Sequence, residues 1–467
     1  MDKCKDKSIV TDVVEKDLSD PIVALASGKA PSAIAILRIT GRGCLDLLPG
    51  ILSPKSKKPW QHSKMRLCRF YDPETKQILD EPMAVFFQAP HSFTGEDSIE
   101  IYAHGGPFII QACLRILLTN GFREAEAGEF SRRAFLNGKL DLTAAEGIKE
   151  LIHAESQQQW LAARQLSSGK LAQEVESLKT KLIAAMAYLE ARIDFPDEKE
   201  TSDIELLEVK QRVDLVKQTL LKLKSSYTTG RIASKGLKVA LFGQPNCGKS
   251  TLMNELLREN RAIVTPIAGT TRDYLEESCH INGRLIRLID TAGIRKATDE
   301  VEKIGITQSI NIAKSADIVL FILPADASSI ETQEMEQWIK KLRTKQYIRI
   351  VSKADLRSFN WSEEQITISC KQATGVDKLK SLLCEQVDDY IAPISEETCI
   401  TSARHLNAIE KALKAIDAFE RGYQEKQFEE MLAFELQQAT KALVSIIGEI
   451  DNENILDSIF STFCIGK

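Results

Sequence analysis

Gly248-Lys249-Ser250 sets a lysine and a hydroxyl directly behind a glycine, and Gly243 stands five positions upstream. In Gly243-Gln244-Pro245-Asn246-Cys247-Gly248-Lys249-Ser250 the glycines let backbone N–H groups wrap a polyphosphate. Lys249 can then reach the β and γ oxygens and Ser250 can ligate magnesium, with Thr251 opening the following helix. In Asp290-Thr291-Ala292-Gly293 the aspartate can hold magnesium through water and Gly293 can contact the γ-phosphate. Ser352-Lys353-Ala354-Asp355 adds a carboxylate able to accept both N1–H and N2–H of guanine, a donor pair adenine lacks, so GTP is the predicted nucleotide. Ser352 stands where such motifs usually carry Asn or Thr, which predicts a weakened tether and lowered affinity with guanine still preferred. Ser369-Cys370-Lys371 resembles the last guanine-contacting loop.

Gly269-Thr270-Thr271-Arg272-Asp273 lies between the phosphate loop and Asp290, which makes Thr271 the natural second magnesium ligand beside Ser250. Many small GTPases carry a water-orienting glutamine directly after the Asp-x-x-Gly turn; here the residue is Ile294, which cannot do this. Another group must position the water. The acidic run Asp299-Glu300-Val301-Glu302 is in the right segment, although a charge run is ordinarily a solvated face.

These residues need rigid elements behind them. Lys238 to Phe242, Leu285 to Ile289, Ile318 to Leu323 and Ile348 to Val351 read as strands alternating with helices, the pattern of a mostly parallel sheet. Upstream, β-branched runs at Ile34 to Thr40, Met83 to Gln88 and Ser98 to Ala103, with one helix near Phe108 to Leu118, predict a compact α/β domain. Between the two, Leu171, Val175, Leu178, Leu182, Met186, Leu189 and Ile193 recur at helical spacing. So do Leu206, Val209, Val213, Val216, Leu220 and Leu223 after the break at Asp194-Phe195-Pro196-Asp197-Glu198. Helical periodicity returns from Leu406 onward. The expected architecture is an α/β and all-α multidomain chain: an N-terminal α/β domain over 1–138, a helical bundle over 139–234 and 392–467, and a P-loop G domain inserted over 235–391.

The 467 residues are 43% hydrophobic and 27% charged, an ordinary globular composition, with no apolar run of the ~18 residues a membrane span requires. The charged start Met1-Asp-Lys-Cys-Lys-Asp-Lys lacks the apolar stretch of a secretory signal, so a cytoplasmic location and no membrane partner are expected. Ten scattered cysteines fit reduced thiols better than a disulfide framework or zinc, so any metal is expected to be held by oxygen. The net charge of -5 excludes bulk electrostatic coating of RNA or DNA, so a nucleic-acid contact has to be local. The densest basic stretch, Lys55-Ser-Lys-Lys-Pro with Lys64, reads most simply as a solvated loop.

Motifs outside the nucleotide site carry a resemblance. Ile36-Leu37-Arg38-Ile39-Thr40-Gly41, Ser92-Phe93-Thr94-Gly95-Glu96-Asp97, His104-Gly105-Gly106-Pro107, Phe135-Leu136-Asn137-Gly138-Lys139-Leu140-Asp141-Leu142, Asp194 to Glu198 and the terminal Phe463-Cys464-Ile465-Gly466-Lys467 occur in an order that resembles the MnmE (TrmE) family of tRNA-modification GTPases over essentially the whole chain. The resemblance implies an N-terminal tetrahydrofolate-binding-like and dimerisation domain. It also implies joint action with an FAD-containing MnmG (GidA) subunit, as a heterotetramer on tRNA, adding a carboxymethylaminomethyl or aminomethyl group to C5 of the wobble uridine. The one-carbon unit comes from 5-formyl- or methylene-tetrahydrofolate, with Arg38, Glu100, Lys139 and Lys467 at the folate-contacting positions. Without the resemblance, Arg38 and Glu100 read as a structural ion pair or strand-end charges.

In the G domain the resemblance gives Glu302 the water-orienting role and spreads the nucleotide contacts over Thr265, Pro266, Ile267, Ala268, Gly269, Thr270 and Thr271. It also implies a homodimer whose G domains associate around potassium, ligated by Asn246, Thr265, Ile267 and Thr270; taken alone, Asn246 reads as a capping amide. Cys464 lacks a prenylation context, and a lone near-terminal cysteine is ordinarily a small apolar residue; the resemblance makes it a residue needed for modification rather than GTP hydrolysis. A ribosome-assembly GTPase of the Era or EngA type would require a KH-like domain or a second G domain, and neither pattern is found.

Overall fold

The computed structural model describes residues 20–28, 30–194, 203–258, 275–291, 309–342, 346–356, 365–392, 398–448 and 453–466. The chain divides into two compact units, Met1–Lys149 with Ala172–Glu176 and Leu443–Lys467, and Glu150–Leu171 with Ser177–Ala442.

The first unit is built on an eight-stranded sheet of β1 (Ile22–Leu25), β2 (Ile34–Thr40), β3 (Leu52–Pro54), β4 (Met65–Tyr71), β5 (Ile78–Asp80), β6 (Met83–Phe87), β7 (Ser98–His104) and β8 (Arg123–Glu124). Its order is β3-β4-β6-β7-β2-β1-β8 with β5 on β4, antiparallel except for β1 against β8. Alternation along β2 turns Ala35, Leu37 and Ile39 into the core, where Cys113, Ile116 and Leu117 of α1 (Pro107–Thr119) meet them. Register places Arg38 directly opposite Glu100.

A second helix, α2 (Glu129–Leu136), follows in this unit where the sequence predicts only one. Its apolar period is hidden because the buried face carries Glu129 and Arg133, paired at 2.8 Å. Burial raises the Glu129 carboxyl, yet its hydrogen bonds from Arg123, the Glu126 N–H and Arg133 outweigh that and hold it below the usual range. Gly128 caps this helix at φ 72°, and a Cβ there would stand 2.4 Å from the carbonyl of Phe460, so only glycine lets the helix Glu453–Phe460 approach. Next comes α3 (Leu142–His153), whose Leu142 and Ala145 form a cluster with Leu456, Phe460 and Phe463.

The second unit contains the helices α4 (Gln157–Ser167), most of α5 (Lys170–Asp194), α6 (Asp203–Ser225) and α7 (Tyr227–Lys235) before its sheet. That sheet comprises β9 (Leu237–Phe242), β10 (Leu275–Ile281), β11 (Arg284–Asp290), β12 (Ile318–Pro324), β13 (Tyr347–Ser352) and β14 (Gln365–Thr367), in the order β10-β11-β9-β12-β13-β14. Only β10 is antiparallel. The helices α8 (Lys249–Leu257), α9 (Ser329–Leu342) and α10 (Val376–Ile391) connect strands or close the unit, so β9 and β12 are buried on both faces and read as continuous apolar runs. Beyond them α11 (Ala403–Gln424) lies antiparallel to α6, with Lys217 bonded to Asp417 and Glu420 and Lys224 to Glu410; α12 (Glu429–Ile447) meets α5 through Glu429 and Arg192. The α/β N-terminal domain, the helical bundle and the mostly parallel G-domain sheet are thus all present. Among the described residues, no helix is long and apolar enough to cross a membrane.

Candidate functional sites

In a parallel sheet, loops at the carboxyl ends of the strands gather on one edge. Here β9 delivers the phosphate loop, β11 delivers Asp290, β13 delivers Ser352 and β14 leads to Ser369. Gly243 lies so close to β12 that a Cβ would stand 2.5 Å from the Ile322 carbonyl, which admits no side chain. Lys249, at the first position of α8, is buried and donates to the carbonyls of Gly243 at 2.8 Å and Gln244 at 2.6 Å. Its ammonium is thereby held at the loop, at a helix N-terminus of the kind that suits an anion. The Ser250 hydroxyl donates to Asp290 Oδ2 at 3.0 Å, bringing two hard oxygen donors together, a set suited to magnesium. Thr291 donates to the Leu241 carbonyl at 2.7 Å and accepts from Ser309 through its own carbonyl.

A cavity of about 900 Å³ is lined by Gly243 to Asn246 and Gly248 to Thr251 of this loop, by Lys353, and by Glu334 and Trp338 of α9. Cys247 and Asn246 differ sharply: the Cys247 thiol is buried, and desolvation holds its pKa above the usual range despite Lys249, whereas Asn246 is exposed at φ 59°. Beyond β13, Ser369, fully buried, donates to Asp355 Oδ1 at 2.7 Å. That bond, ahead of the backbone N–H of Asp355 and of Lys371, keeps the carboxyl below its usual range and ionised to accept hydrogen bonds.

Ser352 makes a tether to the phosphate loop. Its hydroxyl donates to the Cys247 carbonyl at 2.5 Å and lies 3.4 Å from the Leu323 carbonyl, so the tether is formed. A short side chain suffices because β13 passes close to the loop: a Cβ on Gly248 would sit 3.7 Å from Ser352 Cβ.

In the first unit, Arg38 and Glu100 form a pair at 2.8 Å with both side chains mostly buried. Tyr102 donates to the other Glu100 oxygen at 2.8 Å, and the Arg38 guanidinium lies 5.7 Å from the Phe93 ring and 5.9 Å from that of Phe130. Arg38 Nη1 also donates to the Gly466 carbonyl at 3.3 Å. The tail arrives there because Phe463 is buried beside Phe460 and Ile465 bridges Ala127. Cys464, exposed, accepts the Gly128 N–H at 3.4 Å through its carbonyl.

Comparison with known proteins decides the family. Residues 21–139 match the model described as GTP-binding protein TrmE N-terminus, and residues 142–464 match the MnmE helical domain. The tRNA modification GTPase MnmE of Aquifex aeolicus is 39% identical over 464 residues, covering 96% of this chain and 100% of that protein. Those of Natranaerobius thermophilus and Thermotoga maritima are 38% and 34% identical, each matched over 96% of this chain and at least 99% of the relative. The chain belongs to the MnmE family.

In this MnmE-family chain the described phosphate-loop, Asp290, Ser352, Asp355 and Ser369-Cys370-Lys371 positions converge on one edge of the second sheet, whereas Arg38, Glu100 and Cys464 lie in the other unit. Lys139 is not joined to Arg38; it donates to the Pro90 carbonyl at 2.9 Å, on the segment that continues into Phe93. Thr265 to Thr271, Ala292, Gly293, Glu302 and Lys467 lie outside the described residues. Sequence reasoning missed Tyr102, although strand alternation puts it two residues from Glu100 on the same face. The Gly466 carbonyl could not have been found, since no spacing reveals a contact between the two ends of a chain.

Proposed function

We propose that this chain is the GTP-hydrolysing subunit of a cytoplasmic complex that modifies C5 of the wobble uridine of certain tRNAs with a folate-derived one-carbon unit. In this reading 1–138 is the folate-binding-like and dimerising domain, 139–234 with 392–467 the helical domain, and 235–391 the G domain. Lys249 and the loop amides hold the β and γ phosphates, Asp355 with Ser369 selects guanine, and Ser250 with Thr271 would ligate magnesium, assisted by Asp290 through water. Asn246, exposed on the loop, would join Thr265, Ile267 and Thr270 around potassium in a homodimer. Bound there, a monovalent cation supplies charge stabilisation beside the phosphates. Glu302 orients the attacking water that Ile294 cannot.

The observation that carries the modification half of the reading is the tail seated on Arg38 through Gly466, which brings Cys464 into the unit holding the Arg38–Glu100 pair. A guanidinium, a carboxylate and flanking aromatic rings suit the carboxylates, ring donors and planar rings of a folate. Arg38, Glu100, Lys139 and Lys467 bind it, and an FAD-containing MnmG subunit completes the heterotetramer. Deleting the gene and analysing tRNA wobble nucleosides by mass spectrometry tests this: loss of the C5 group is expected, and unchanged nucleosides would overturn it. Equal GTP hydrolysis in potassium and sodium would remove the potassium dimer from the reading.

A further inference from the structure

The basic loop between β3 and β4 is more ordered than a solvated loop needs to be. Arg66 gathers three of its carbonyls: Nη1 donates to Lys58 O at 2.6 Å and Pro59 O at 3.0 Å, and Nη2 to Ser56 O at 2.8 Å. The same guanidinium lies 5.5 Å from the Trp60 ring. The loop ends are tied as well, Lys55 N to Leu67 O at 3.0 Å and Ser63 N to Phe86 O at 2.8 Å. Gln88 N donates to His62 Nδ1 at 3.1 Å, which puts the ring proton on Nε2, facing the Ser63 hydroxyl at 2.9 Å. Carbonyls that water could satisfy are collected instead on one cation, which both fixes the loop and adds a charge at its base.

What this clamp presents is positive. Lys55 and Arg69 share Glu81, but Lys57, Lys58 and Lys64 are exposed and have no carboxylate partner among the described residues. His91, also exposed, lies 5.8 Å from His62 and offers a ring on which a base can stack. In a chain of net charge -5, three ammonium groups free of carboxylates on a preorganised loop form a local anion-binding surface. A membrane is the poorer fit, because the loop's only large apolar side chain, Trp60, is half-buried and covered by Arg66.

We propose that the Lys57–Lys58–Lys64 loop, braced by Arg66, is a docking surface for the phosphate backbone of the tRNA substrate. The assignment rests on the tRNA-modification reading, and its test is separate. Full-length chain is titrated with a tRNA transcript by filter binding over a potassium chloride series. The variant Lys57→Ala/Lys58→Ala/Lys64→Ala is expected to bind roughly tenfold or more weakly, with a salt slope reduced by about 3, one for each phosphate that no longer meets an ammonium group. Arg66→Lys keeps the charge but loses the fork that collects the carbonyls, and is expected to weaken binding too. GTP hydrolysis, carried by the other unit, stays at the wild-type rate in both, and thermal unfolding followed by circular dichroism serves as the folding control for the unit that carries the loop. Wild-type affinity and slope in the triple variant overturn the proposal. So does a triple variant that loses binding to anionic phospholipid vesicles but not to tRNA, or a wild-type chain with no tRNA affinity. None of these touches the nucleoside analysis, which alone judges the modification reading.

Discussion

Removing the Ser352 hydroxyl isolates the tether between β13 and the phosphate loop. Ser352 is 7% exposed, and its bond to the Cys247 carbonyl is 2.5 Å long, with Leu323 O as a second acceptor at 3.4 Å. Ser352→Ala leaves the Cys247 carbonyl without this donor in a site water does not readily enter, a loss of about 1–2 kcal/mol. If that loss falls on the loop geometry that nucleotide binding requires, the dissociation constants for GDP and GTP rise roughly 5- to 30-fold. Asp355 is held separately by Ser369, so the preference for guanine over adenine stays as it was. Ser352→Thr keeps the hydroxyl and should stay near wild type. Titration with fluorescent guanine and adenine nucleotides measures all of this. An alanine variant that binds GDP as tightly as wild type, or that changes base preference instead of affinity, refutes the account.

Asp355→Asn replaces one acceptor by a donor against the guanine N–H pair, so GTP binding should fall at least tenfold and xanthosine triphosphate gain relative to it, measured in the same titration. Glu129→Gln removes the charge that Arg123 and Arg133 share and leaves Arg133, 1% exposed, with Glu96 as its one carboxylate, so it should cost about 2 kcal/mol by denaturant unfolding at neutral pH. Because the folded Glu129 pKa is lowered, its contribution is complete above the ordinary glutamate value and lost as pH falls through the folded one, so wild type and variant should converge in acid. Gly128→Ala forces a Cβ against the Phe460 carbonyl at a left-handed φ, and hydrogen exchange across residues 461–466 should accelerate well before the whole chain unfolds.

How much was legible in the sequence depended on whether an element's burial matched its residue types. The strands β9, β12 and β13 and the helices α5 and α6 could be read because their buried positions are almost all apolar, in continuous runs in the strands and at spacings of three and four in the helices. The helix α2 could not, since Glu129, Ser131 and Arg133 share its buried face with Phe130 and Ala134, and the charges are balanced by Arg123 and Glu96 from outside the helix. The strand β4 was hidden in a similar way, with exposed Met65, Leu67 and Arg69 alternating with buried Cys68 and Phe70. The Ser352 tether was legible only in part: the residue type offers a donor, and the distance between β13 and the loop decides whether that donor reaches.

Arg38 shows why residue type alone left its role open, and why the two readings of it do not compete. A guanidinium has five N–H donors in a fixed fork. Nε and Nη2 are directed to Glu100 Oε1, at 2.9 and 2.8 Å, and Nη1 sends one donor to the Gly466 carbonyl. That is a structural ion pair, and it also holds the guanidinium near both the Phe93 and the Phe130 ring, at 5.7 and 5.9 Å. Two of the five donors are not used in these contacts, and the side chain is 19% exposed, enough to meet a ligand carboxylate. Glu100 likewise keeps lone pairs on both oxygens after accepting from Arg38 and Tyr102. The ion pair is therefore the device that orients the remaining donors and acceptors, and a contact built on it loses little side-chain entropy when a ligand binds. Because the Gly466 carbonyl is one of the groups setting that orientation, displacing the tail should disturb Arg38 even when every residue of the sheet is intact.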